Sequence, residues 1–418
     1  MNERKSLIPE FGPFSGIRII AAGSLIAMPF AATMMADFGA EVIEIERPGV
    51  GDTYRIFPPF ATAGEKSVGT SWAQDARNRL SMTLELDLKH PEVREVFYGL
   101  IREADIFMEN MVWLEKLGIT DEELLRVNPR LVIAHISGYG NQAFGGIPEY
   151  CNRASYDMIG QAMSGYILLN GSPDTDPIVC KPWMNDYVSA MFALFGVLAA
   201  YMGTQKTGKG QVVDVAQFEA QAKFMCDTYT AYTLNGEIRG RTGNASSTFQ
   251  PYDLFMSKDG YHIALGAFGP GVFKRFVQGA GFDPAYFTYE ACSKDAEALN
   301  SPKGRELAAR VAAWCLEHTA QELEEMMQAV RVPCCRVNTA KDCLESEHYR
   351  LRNDFIQYHD QTLDKDVTAF GIVPKLSGTP GQVWRGAPAM GQDTEQILRE
   401  LLQYDDEKIA ALRAKKLI

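Results

Sequence analysis

The 418-residue sequence predicts an α/β protein with a parallel, Rossmann-like sheet in a large domain and a second, smaller α+β domain. Three observations carry this. Short apolar runs alternate with helix patterns through the first third of the chain. A hairpin signal around Lys258-Asp259-Gly260, followed by two helix patterns, marks a separate α+β segment. Composition is that of a folded globular protein, 46% hydrophobic and 22% charged, which excludes disorder, collagen and coiled coil.

Ile17–Ala22 is an apolar run stopped by Gly23, Pro29 opens a helix pattern through Phe38 that Gly39 ends, and Val42–Ile45 begins a second strand. Together they read as a βαβ unit. Leu80–Leu86 is the third strand, a helix starts at Pro91, and Asp105–Met108 is the fourth strand. Thr120 and Glu123 have capping-box spacing for a short helix through Val127, and Leu131–Ile136 is a strand running into Ser137-Gly138-Tyr139-Gly140. Helical pattern resumes at Ala154, and Asp186 stands at the start of an apolar helix, Tyr187–Tyr201. After Thr207-Gly208-Lys209-Gly210 come a strand over Val212–Val215 and one long helix pattern from Gln217 to about Leu234. Strands Leu254–Met256 and Tyr261–Leu265, helix Arg305–Glu317 and a helix capped by Thr319 with Glu322 make a small domain over 245–335. The tail carries strand patterns at Phe355–His359 and Ala369–Pro374 and a last helix capped by Thr394.

A formal charge of −12 disfavours nucleic acid and anionic membrane surfaces as partners, while a few local cations can still hold a small anion. The eight cysteines show no C-x-x-C spacing and read as buried, reduced thiols of a cytoplasmic protein. No window is expected to reach the length of a membrane span, and the charged N-terminus, broken by Pro9 and Pro13, is not a signal sequence. The six scattered histidines form no metal motif, and neither a nucleophile elbow nor a Walker loop is present. The first βα turn, Gly23-Ser24-Leu25-Ile26-Ala27-Met28-Pro29, lacks G-x-G-x-x-G and so does not suit a dinucleotide. Glu46 is followed by Arg47 at the end of the second strand, where an Arg suits a phosphorylated ribose or stacks on adenine, and equally serves as an ordinary strand-end side chain. Asp186 by position is first a helix cap.

Over nearly its whole length the sequence resembles the class III CoA-transferases, the CaiB/BaiF family. The resemblance rests on Gly39-Ala40-Glu41-Val42-Ile43-Glu44-Ile45-Glu46, Asn128-Pro129-Arg130-Leu131-Val132-Ile133-Ala134, Ser137-Gly138-Tyr139-Gly140, Thr207-Gly208-Lys209-Gly210-Gln211 with Val213-Asp214-Val215, and Trp384-Arg385-Gly386-Ala387-Pro388. Within the family, Gly118-Ile119-Thr120-Asp121-Glu122 resembles carnitine CoA-transferases, and Arg153-Ala154-Ser155-Tyr156-Asp157 with Arg241-Thr242-Gly243-Asn244 resembles bile-acid ones. The resemblance implies a large Rossmann-like domain formed by both chain ends (1–225 and the return segment 336–418), a linker at 226–244, an inserted small domain at 245–335, and an interlocked homodimer.

It also implies a catalytic aspartate at Asp186. A carboxylate with a reference pKa near 4 would be ionised at neutral pH and could attack an acyl-CoA without a general base, giving a mixed anhydride and then aspartyl-CoA. Backbone N–H groups at the helix start are the expected oxyanion donors. Coenzyme A enters as substrate, not as a permanently bound cofactor. Its implied contacts are Ile26, Ala27, Arg47, Leu86 to Lys89, Asn110, Lys116 and Ser137, Gly138, Tyr139 and Gly140, with Lys116 standing where many relatives carry an Arg and with a shortened loop after Asn110. The family's glycine-rich lid is absent near residue 245, which disfavours formyl and oxalate substrates. A carnitine or crotonobetaine acceptor ranks first, on an aromatic wall of Trp183, Tyr229 and Tyr232, and a bile acid second. The competing reaction is α-methylacyl-CoA racemisation, for which Tyr156 beside Asp157 is a poor base.

Overall fold

The structure is a computed structural model that describes residues 5–111 and 114–418. The chain divides into two compact units. One comprises residues 5–166, 180–227 and 350–418, and the other residues 167–179 and 228–349.

The first unit is a mixed α/β body around a parallel sheet of six strands: β1 Arg18–Ala22, β2 Glu41–Glu46, β3 Leu80–Thr83, β4 Ile106–Glu109, β5 Val132–Ser137 and β6 Gln211–Ala216. Their spatial order is 3-2-1-4-5-6, and every pairing is parallel. That is the doubly wound order in which the direction of winding reverses between β1 and β4. β1, β2 and β4 are buried on both faces, whereas the edge strand β6 is fully buried only at Val215 and Ala216. Ile19 and Ala21 pack with helix Ala27–Ala36 on one side, and Ile20 and Ala22 pack with helix Pro91–Glu103 on the other. Ile397, Leu398, Ile409 and Leu412 of the two C-terminal helices join that second face.

Helix Met184–Thr207 is long and apolar enough to cross a membrane by length and composition, contrary to the expectation that no segment reaches that threshold. Its apolarity has a local use. Ala190, Ala193, Val197 and Ala200, at helical spacing, are buried against the sheet and helix Ala27–Ala36.

The second unit holds an antiparallel sheet, Cys334–Arg336, His262–Gly266 and Tyr252–Met256, over helices including Pro302–Glu317 and Ala320–Ala329. The Thr319/Glu322 capping box is present in both directions. At Thr120 only half of one forms, because Glu123 pairs with Arg126 instead.

Several boundaries differ from the sequence reading. The helix pattern from Gln217 to Leu234 is two helices, Gln217–Ala222 and Thr228–Asn235, with Cys226 at a φ of 51° between them. The second tail strand is Lys365–Phe370, paired with Phe355–Asp360, and not Ala369–Pro374. Helix Thr394–Glu400 is preceded by Asp393 and is not the last: Asp406–Ala414 follows it, and the Thr394 hydroxyl accepts from the Thr83 N–H instead of capping. Residues 167–179 lie with the second unit. Only Cys292 and Cys315 of the eight free thiols are buried, while Cys226 and Cys335 are exposed, so the expectation of uniformly buried cysteines fails on turns and edge positions.

His135, in β5, is 5% exposed and held between two carboxylates, Glu109 at 2.6 Å and Asp121 at 2.9 Å. Burial opposes its charge, but the two acids outweigh burial and push it up to about 10. A cation favoured by the fold stabilises it fully below the unfolded pKa and progressively less as pH rises through the folded one. The denaturation midpoint should therefore fall between about pH 6.5 and 10, and His135→Gln should flatten that fall, measured by urea unfolding at several pH values.

Candidate active site

The C-terminal ends of the strands open on a cleft of about 850 Å³. Its lining runs from Ile45, Glu46 and Arg47 after β2 and Leu84, Glu85 and Leu86 after β3, across the β1 loop, to Ser137 and Gly138 after β5 and Gln217 after β6. Crevices at this edge, around the point where winding reverses, are where parallel α/β sheets bind ligands.

The β1 loop is shaped by three groups. Asn110, just after β4, accepts from the Ser24 N–H at 3.0 Å and donates to the Ser24 carbonyl at 2.8 Å. Gly23 permits that approach, since a Cβ there would lie 1.9 Å from Asn110 Oδ1. Asp52 accepts from the Leu25 N–H at 3.0 Å and holds Leu25 at a φ of 68°. Asp52 rests in turn on Glu46, which takes the Asp52 N–H, the Ser81 hydroxyl and two donors of Arg55. Glu46 is thus buried structure below the cleft.

Asp186 is the third residue of helix Met184–Thr207 and lines the cleft. The cap of that helix comes from another element. Asp157, 2% exposed at the start of helix Asp157–Met163, accepts from the Asn185 N–H at 2.7 Å and the Asp186 N–H at 3.1 Å. Gln161 fixes Asp157 with a 2.7 Å hydrogen bond. Asp186 Oδ1 accepts from Gln217 Nε2 at 2.5 Å. Burial, then the charge of Asp157, raise the Asp186 carboxyl to about 7, and the Gln217 hydrogen bond moderates the rise. Asp186 therefore ionises less readily at neutral pH than the sequence reading assumed. The expectation of free N–H donors at the helix start is corrected as well, because Asp157 takes those of Asn185 and Asp186.

Of the residues singled out from sequence, Ile26, Ala27, Arg47, Leu86, Asn110, Lys116, Ser137, Gly138 and Asp186 line the cleft together. Lys89, Tyr139 and Gly140 do not. Lys89 is exposed in the turn after β3, Tyr139 packs edge-on to Tyr150 at 5.7 Å, and the Gly140 N–H donates to Ser137 Oγ at 2.9 Å. Arg47 is exposed at the rim and donates to Glu85 at 3.2 Å. Residues 112–113 of the loop after Asn110 lie outside the described residues. Tyr156 lines the cleft, but its neighbour Asp157 is the buried helix cap. Trp183 stands outside the lining, with its ring 5.5 Å from Phe57, and Tyr229 and Tyr232 belong to the second unit. Sequence reasoning missed Gln217 and Asp52. Both are polar residues in or after turns at the cleft edge, a signal too common to single them out.

The doubly wound sheet thus places a half-buried carboxyl of raised pKa in a cleft at its strand ends. The profile of CoA-transferase family III matches residues 14–394. The chain belongs to that family and is an enzyme of its class. It is 36% identical over 411 residues to the bile acid CoA-transferase BaiK of Clostridium scindens, covering 96% of this chain and 88% of that one. It is 34% identical over 414 residues to the succinyl-CoA–D-citramalate CoA-transferase of Chloroflexus aurantiacus, covering 97% and 98%. A CaiB/BaiF family protein from Brucella suis has the same fold, with a TM-score of 0.80, 24% identity and coverage of 94% and 100%.

The raised Asp186 carboxyl has two consequences of opposite use. For an attacking carboxylate, kcat/KM should decline below about pH 7, and this limb should follow the titration of Asp186 measured on the free enzyme. For the fold, a carboxyl that the native state keeps protonated loses stability as pH rises from the unfolded value through the folded one. Asp186→Asn should therefore raise the denaturation midpoint near pH 8 and leave it unchanged near pH 4.

Proposed function

We propose that this enzyme moves CoA from an acyl-CoA thioester to an acceptor carboxylic acid, with Asp186 as the covalent nucleophile. The observation that carries this reading is a single cleft that joins Arg47 after β2 to Asp186 beside β5 and β6. At about 4.8 Å per strand, the two ends are roughly 15–20 Å apart, a distance for an extended ligand with separate recognition and reaction ends. Arg47 and Lys116 would hold the nucleotide end, with Lys116 supplying charge without the fork of an Arg. The N–H groups of Ile26 and Ala27 open a helix whose first turn has no intrahelical acceptors, and so suit the thioester carbonyl.

Asp186 attacks the acyl carbon, CoA leaves as thiolate, and the thiolate then attacks the aspartyl carbonyl of the anhydride to give aspartyl-CoA and free acid. The acceptor carboxylate reverses the sequence and leaves as its CoA thioester. The thioester bond is conserved throughout, so no nucleoside triphosphate enters. Exclusion of water protects the anhydride. Racemisation draws less support, because its second base would have to be Tyr156, and a phenol with a reference pKa near 10 is a poor base at neutral pH, while Asp157 is committed to capping the helix.

For the acceptor, a bile-acid-like monocarboxylic acid has more support than the carnitine type favoured from sequence. A curated bile-acid relative is 36% identical, and the residues around the Asp186 end, Ile26, Ile136, Ala154 and Tyr156, are chiefly apolar. The carnitine reading keeps only aromatic residues that the cleft lining does not include. An interlocked homodimer fits the apolar stripe of Met191, Phe195 and Met202, which helix Met184–Thr207 leaves exposed in the single chain.

Asp186→Asn should lower transfer by several orders of magnitude while the protein stays folded, and hydroxylamine should trap a modified Asp186 in the wild type during turnover, read by peptide mass. Activity of the variant within about tenfold of wild type would remove the assignment. In a competition among cholate, carnitine, γ-butyrobetaine and a simple hydroxy acid, cholate should be the preferred acceptor. Preference for either betaine would reverse the acceptor ranking and leave the transfer chemistry intact.

A further inference from the structure

Three backbone donors at the start of the helix that carries Asp186 are already committed: the N–H groups of Asn185 and Asp186 go to Asp157, and that of Tyr187 goes to the Trp183 carbonyl at 3.2 Å. One side-chain donor reaches the carboxylate itself. Gln217 Nε2 stands 2.5 Å from Asp186 Oδ1, and among the described residues Oδ2 accepts no hydrogen bond. The two carboxylate oxygens are therefore inequivalent. Building on the reading of Asp186 as nucleophile, we propose that Gln217 is a second catalytic residue, whose carboxamide N–H directs attack to Oδ2 and stabilises the oxyanion that forms on Oδ1.

The chemistry follows atom by atom. A strong hydrogen bond draws negative charge toward its donor, so Oδ1 is the poorer nucleophile and Oδ2 bonds to the acyl carbon. The acyl C–S bond breaks, and CoA leaves with the electron pair as thiolate. Asp186 Cγ is now double-bonded to Oδ1 and single-bonded to Oδ2 of the anhydride. When the thiolate adds to Cγ, the carbonyl pair moves onto Oδ1. Collapse breaks the Cγ–Oδ2 bond, and the donor acid departs with Oδ2 as one of its carboxylate oxygens. The acceptor carboxylate later adds to the same Cγ of aspartyl-CoA and again places the charge on Oδ1. In both additions the charge develops on the oxygen that already faces Gln217 Nε2.

Gln217 is built to hold that position. It is 7% exposed, it opens helix Gln217–Ala222 directly after β6, and it packs against helix Asp157–Met163 where a Cβ at Gly160 would lie 3.2 Å from its own Cβ. A donor fixed before reaction needs no reorganisation as charge develops. Its neutrality also matters, since a cation at this distance would pull charge from the nucleophile in the first step.

Gln217→Met keeps similar length and volume without the N–H. Its kcat should fall by about 100-fold or more, with KM for acyl-CoA within about threefold of wild type. The acid limb of kcat/KM should move to higher pH, because the hydrogen bond that moderates the Asp186 carboxyl is gone. The ratio of hydrolysis to transfer should rise, because the anhydride waits longer for the thiolate, and hydroxylamine should still modify Asp186. Gln217→Leu, which also lacks the N–H, is the second variant and should lose kcat by about 100-fold or more. A kcat within about threefold of wild type in either folded variant overturns the role of Gln217 and leaves the nucleophile in place. Failure of hydroxylamine to modify Asp186 in the wild type overturns both.

Discussion

Because all six strands of the central sheet run the same way, their C-terminal ends open on one edge, and each group around the cleft has to be delivered by a loop or helix that leaves that edge. Such loops have unpaired backbone groups and nothing intrinsic to fix them. Here buried side chains do the fixing. Asn110 closes both polar groups of Ser24, Asp52 takes the Leu25 N–H, and Asp157 takes two N–H groups of helix Met184–Thr207. Each of these side chains comes from a different strand end or helix, so the cleft keeps its shape only while the sheet order is intact.

The electrostatics follow from the same arrangement. Capping a helix start with a buried carboxylate satisfies its donors, but it places a negative charge beside Asp186. The result is a carboxyl that resists ionisation, although the helix start alone would favour the charged form. Burial and Asp157 push one way, and Gln217 pushes the other. The proposed role of Asp186 would need that balance between a poorly solvated carboxylate and the cost of forming it.

Membership of CoA-transferase family III fixes the reaction class but leaves the acceptor to local chemistry. Curated relatives of similar identity carry names for a bile acid and for a dicarboxylic hydroxy acid. Substrate choice in such a set rests on the few side chains around the reacting carbon.

Much of this was legible in the residues. Apolar runs separated by helix patterns predict the parallel sheet because strands buried on both faces are mostly apolar, and Ile19 to Ala22 shows that rule directly, while Val42 to Ile45 breaks it once at Glu44, which pairs with buried Arg79. The matched motifs carried the family. Other features were not legible. Nothing local separates Gln217–Ala222 from Thr228–Asn235, since the whole stretch has helix-forming residues and the break lies where the chain passes from one unit to the other. The apolar helix Met184–Thr207 reads like a span until the sheet supplies the surface that buries its alanines. Asp157 precedes the helix it caps by almost thirty residues, and Gln217 follows Asp186 at a similar remove. Sequence thus determined the elements and the chemical family, because periodicity and motif are properties of neighbouring residues. Tertiary structure alone decided which donor faces which oxygen and how readily Asp186 ionises, because hydrogen bonding and desolvation depend on distances between residues far apart in the chain.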